Sequence, residues 1–139
     1  MELTLSSENG VMVAIASGRA SVEEVLRVFK IVIDAAIERR VEKVLMDFLE
    51  VNGELSTLGL YEIGKLMAEY CVNKRYYPKV AVIGNPPTVT GFGAQVACNR
   101  NLVSMTFSER QLALNWLGAT VPASSEDPAI KRLSKTTPS

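Results

Sequence analysis

Few side chains in this sequence can do chemistry. There is no histidine, which removes the commonest general base and the commonest metal ligand. Ser-His and Cys-His nucleophile pairs are thereby excluded. Three places remain. Ser56 and Thr57 are adjacent hydroxyls where a helix is expected to begin. The plainer account is an N-cap, a hydroxyl oxygen accepting from an orphan backbone N–H. The functional account uses the same geometry. A phosphate there would meet free N–H groups and the positive end of the helix dipole, and would bring about −2 charge to the surface. Asp47, Glu50 and Glu54 place three carboxylates within eight residues. That is a weak signal for a hard cation, since no fourth ligand accompanies them. Asp47 more readily satisfies backbone donors where its strand ends. The third place is "VAVIGNPPTVTGFG" (80–93). Its strand-to-glycine turn is interrupted by Pro86-Pro87, which remove the backbone donors of a pyrophosphate cradle. Asn85, Thr88 and Thr90 are left as candidates for a ligand loop, because open α/β sheets bind ligands at the carboxyl ends of their strands. The plainer account is an ordinary loop with a Thr N-cap.

Composition narrows the classes further. Lys plus Arg and Asp plus Glu each number 15, giving a formal net charge of zero. Nucleic acid is therefore not expected as a partner, since phosphate binding needs a net basic face. "NKRYYPK" (73–79) is the densest basic stretch and reads as a solvated loop. Cys71 and Cys98 make no disulfide framework and no zinc-ligand spacing, and both read as reduced packing residues. No cofactor is called for. "MELTLSSENG" lacks the basic and apolar regions of a signal peptide. No apolar run approaches the ~18 residues of a membrane span. The expectation is a cytoplasmic protein without a membrane span.

The elements that must hold these residues follow from hydrophobic period and caps. At 47% apolar, 139 residues suffice for one packed domain. "MELTLSSENGVMVAIASG" predicts a hairpin turning at Asn9-Gly10. Ser21 and Glu24 form a capping box before a helix to Arg39-Arg40, with Val22, Val25, Leu26, Phe29, Val32, Ile33 and Ala36 inward. A buried strand over 43–48 leads through a loop, 49–55, into a second helix from Ser56 or Thr57, with Leu60, Ile63, Met67 and Tyr70 on one face. Gly59 and Gly64 inside that helix point to close packing or an approachable backbone. A strand over 79–85, a loop and short helix over 88–100 and an edge strand over 101–107 follow. Ser108 and Gln111 form a second capping box, and that helix ends at Gly118. Residues 120–139, rich in Pro, Ser and Thr, predict a flexible tail. The order β-β-α-β-α-β-α-β-α predicts an α/β fold with a mixed, mostly parallel sheet of about five strands and about four helices, joined by right-handed crossovers.

This order, with "VLMDF" ending near Asp47 and Ser56-Thr57 opening a helix, resembles the STAS domain (sulfate transporter and anti-sigma-factor antagonist), and its SpoIIAA-like members in particular. "VAVIGN" and the closing "FSERQLALNWL" extend the likeness over about residues 1–119. The resemblance implies a β-α superhelix with sequential strands and a non-catalytic regulatory module. Its partner would be a protein, such as an anti-sigma-factor-like kinase. Thr57 matches the serine phosphorylated in antagonists of that family. Leu55 stands where the motif has Asp and Leu58 where it has Gly, so the switch implied is a degenerate one. The implied partner surface comprises Asp47, Glu50, Asn52, Glu54, Leu58 and Tyr61. The fold is shared with lipid-carrying relatives, so the alternative is a small-molecule or lipid carrier with a pocket at the strand ends. An enzyme, with Lys65 or Tyr61 moving protons, ranks third. A homodimer would follow if one sheet face or an apolar helix face stays uncovered.

Overall fold

In the computed structural model, residues 1–118 are described. The hairpin strands are β1 (Glu2–Glu8) and β2 (Val11–Arg19), paired antiparallel about Asn9 and Gly10, both at positive φ. Then come α1 (Val22–Glu38), β3 (Lys43–Asn52), α2 (Thr57–Lys74), β4 (Lys79–Ile83), α3 (Phe92–Cys98), β5 (Ser104–Phe107) and α4 (Arg110–Leu117). The sheet order is β1-β2-β3-β4-β5, with every pair after the first parallel. This is the expected α/β fold. The expected tail, 120–139, lies outside the described residues.

Sequential strand order joined by crossovers of one hand puts the connecting helices on one face of the sheet. The core follows that rule. The larger apolar cluster joins inward residues of α1 and α2 (Phe29, Ile33, Met67) to Met12, Val44, Met46 and Val80. Among the described residues the opposite face carries α4 alone, whose Ala113 and Leu117 pack on Val11, Val13, Leu45, Ala81 and Ile83. Eight residues of helix do not cover five strands, and Ile15 and Leu49 stay partly exposed. Lys79 Nζ donates to the Trp116 carbonyl at 2.8 Å and lies over the indole ring, securing the carbonyl end of α4.

Five local expectations are corrected. β3 runs to Asn52 rather than stopping at Phe48. Ile15 pairs with Asp47 and Ser17 with Glu50, so two residues of β3 oppose one of β2 in a β-bulge. The bulge breaks the period of two, and Phe48 and Val51 both reach the larger core. β4 stops at Ile83, before the cis Pro86-Pro87 bond. The N-cap of α3 is Gly91 at φ 92°, not a threonine; Thr90 Oγ1 accepts from Phe92 N–H instead. The N-cap of α4 is Glu109, not Ser108, and Gln111 bonds Asn115 one turn on. The capping box of α1 is half formed. Ser21 Oγ accepts from Glu24 N–H, while the Glu24 carboxylate takes Arg27 and the N-terminal ammonium.

Candidate functional site

The carboxyl ends of β3, β4 and β5 meet the start of α2 and the loop before α3, which brings together most of the residues singled out above. Ser56 is the N-cap of α2, with extended backbone and Oγ accepting from Gly59 N–H at 2.9 Å. Thr57 is the first helical residue and is exposed, and its hydroxyl makes no hydrogen bond among the described residues. Leu58 is 71% exposed, more than any other large apolar residue described. Glu50, Asn52 and Glu54 are also exposed.

Asp47 does not belong to that surface. It is buried on the α4 side of the sheet, where Oδ1 accepts from Leu49 N–H at 3.0 Å and Oδ2 from Arg110 at 3.3 Å. The bulge takes Leu49 out of the regular ladder with β2, and the carboxylate supplies that N–H with an acceptor. Among the described residues no group of three or more potential ligands is placed to hold a metal ion, so Asp47, Glu50 and Glu54 are not gathered into a cation site. Tyr61 is also committed: its hydroxyl accepts from Arg100 Nη2 at 2.7 Å, with the guanidinium over its ring. That contact ties α2 to the residues after α3. The basic residues of 73–79 are dispersed in the same way, Lys74 to Asp34 and Lys79 to α4.

The two glycines of α2 are explained by packing. A Cβ on Gly64 would lie 2.8 Å from Val96 Cβ and would overlap the Gly93 carbonyl, so α3 packs its Val96 side chain and Gly93 backbone directly onto the backbone of α2 at Gly64. A Cβ on Gly59 would lie 3.1 Å from Val22. The thiols differ. Cys71 is buried and burial pushes its thiol up to about 12, whereas Cys98 is exposed rather than a packing residue.

Behind this surface lies a cavity of about 70 Å³ between α2, α3 and the sheet. Its lining includes buried Met46, Phe48, Ile63 and Met67 and half-buried Leu55, Leu60 and Thr88, and it reaches the surface at exposed Thr90. Leu55 is thus part of an apolar wall. Of the loop candidates, Thr88 and Thr90 line the cavity and Asn85 does not. The Thr88 hydroxyl donates to the Gly53 carbonyl, joining the loop before α3 to the loop before α2. The residue missed from sequence is Ser104, which lines the cavity at 5% exposure. The alternation of 101–107 divides its residues between two sides but does not mark which side is inward. Ser104 and Thr106 turn to the interior, while Val103 and Met105 are 48% and 46% exposed, the reverse of an ordinary half-buried strand.

No helix among the described residues is long and apolar enough to cross a membrane. Neither a scan against models of protein families nor a search of curated proteins finds a match to this chain.

Proposed function

We propose that the chain is a non-catalytic interaction module of the SpoIIAA-like kind, docking a protein partner over the start of α2 and tuned at Thr57 or Ser56. The observation that carries this reading is Leu58, an apolar side chain held 71% exposed in the first turn beside the exposed Thr57. An apolar anchor within a rim of polar groups is the usual energetic centre of an interface. Thr57 beside Leu58, and Glu54 four residues before it, are exposed polar neighbours in the chain. The lack of histidine and of any metal-ligand cluster among the described residues supports a binding role over a catalytic one.

The two hydroxyls differ in what modification would cost. Ser56 already caps the helix, and losing a cap costs ~1 kcal/mol. Thr57 has no such commitment. A phosphate on Thr57 would sit at the positive end of α2 and add about −2 charge beside Leu58 and Glu54. It would repel a partner presenting an apolar or acidic surface. An anti-sigma-factor-like kinase or another cytoplasmic regulator fits that description. The test is intact mass after incubation with ATP and lysate of the native organism, paired with partner capture by Thr57→Glu. Phosphate on neither hydroxyl, together with unchanged capture, would remove the switch.

A further inference from the structure

We infer that the cavity behind α2 is a binding site for a small, neutral, apolar molecule carrying one hydrogen-bonding group, and that Ser104 is the residue that recognises that group. The inference stands apart from the docking reading, since it concerns the interior and not Leu58. The first observation is the cavity, about 70 Å³ and walled almost wholly by apolar side chains. The second is independent. Ser104 is one of the residues around this space, and its Oγ is buried and has no hydrogen-bond partner among the described residues. An unpaired hydroxyl inside an apolar wall costs on the order of 1–3 kcal/mol relative to a paired one, so such a group calls for a partner. The alternation of β5 points the same way, since Ser104 and Thr106 line the cavity while Met105 between them is exposed.

The lining also sets the charge of the ligand. No Lys, Arg, Asp or Glu is among the lining residues. A carboxylate or ammonium carried inside would be a buried unpaired charge, which an apolar site rejects. The chemical class is therefore an alcohol, ketone or comparable neutral compound. Size limits it too. A closed apolar cavity of about 150 Å³ holds benzene, so this one encloses a chain end of a few heavy atoms. The remainder would leave through the mouth at Thr90, which is exposed.

The test follows amide shifts of the ¹⁵N-labelled full chain during titration with 1-hexanol. The expected result is saturable shifts centred on Ser104, Thr106 and Ala94, about tenfold weaker binding to Ser104→Ala, and no binding to Ala94→Leu, which fills the space. Hexanoate at neutral pH is expected to bind far more weakly than 1-hexanol. Unliganded Ser104→Ala is expected to melt no lower than the wild type, because no hydrogen bond is removed. Absence of saturable shifts in the wild type, equal binding by Ser104→Ala, or hexanoate matching hexanol would each overturn the assignment. A clear loss of stability in Ser104→Ala would do so as well, by revealing a hydroxyl already satisfied within the protein.

Discussion

Replacing Asp47 separates two roles that the side chain combines. Its Oδ1 serves Leu49 N–H at 3.0 Å within the bulge, and its Oδ2 faces Arg110 at 3.3 Å. The Arg110 side chain is 39% exposed, so this ion pair contributes only ~0–1 kcal/mol. The backbone donor is different. Asp47→Ala leaves it without its acceptor, at a cost of ~1–3 kcal/mol. Asp47→Asn keeps a carbonyl oxygen in the same place and loses only the charge. The expected losses are therefore ~2 kcal/mol for alanine and under ~1 kcal/mol for asparagine. Arg110→Ala should resemble the asparagine variant. Urea unfolding measures all three, with the midpoint falling and the slope unchanged. At ~4 °C per kcal/mol for a domain of this length, the alanine variant should melt ~8 °C lower. Equal losses in Asp47→Ala and Asp47→Asn would refute the bulge argument and make the ion pair the dominant role.

Other variants probe the packing and the charges. Gly64→Ala should destabilise by ~1–3 kcal/mol, although alanine is the better helix former by ~1 kcal/mol, because the new methyl meets Val96 and the Gly93 carbonyl; a rise in the urea midpoint would contradict the close crossing of α2 and α3. The hydrogen bond from Arg27, and then the N-terminal ammonium, holds the Glu24 carboxyl down at about 2 against an ordinary value of 4.5. A carboxyl depressed in the folded state stabilises above its unfolded value, and that contribution disappears as pH falls from about 4.5 through about 2. The stability difference between wild type and Arg27→Ala should therefore be full near neutrality and vanish across that window in acid denaturation. Alkylation of the native protein should modify Cys98 quickly and Cys71 only on unfolding, because the Cys71 thiol is buried and raised to about 12; peptide mapping by mass spectrometry distinguishes the two.

How much of this was legible in the sequence depended on whether local signals agreed. The order of elements was readable because period and caps coincide, as at Asn9-Gly10, Ser21 and Gly118. Ser56 was readable as a cap for the same reason. The extension of β3 was not, because the bulge places Phe48 and Val51 on one side and breaks the strand pattern. The carboxylates of Asp47, Glu50 and Glu54 looked like one group in sequence. The buried bulge takes Asp47 to the α4 side while Glu50 and Glu54 stay in solvent. Ser108 lost the cap of α4 to Glu109 although its spacing to Gln111 suits a capping box; the Gln111 side chain is engaged with Asn115. Ser104 was missed since nothing local marks a hydroxyl in an alternating strand as the inward one. That depends on which face α2 and α3 cover.

The docking claim is tested most directly by quantitative capture from lysate of the native organism with wild-type, Leu58→Asp and Thr57→Glu chains side by side. Leu58 and Thr57 are both exposed, so neither substitution disturbs the core. The account predicts a partner retained by the wild type and lost from both variants, with melting temperatures within a few degrees of one another. A partner held equally by all three chains would contradict it.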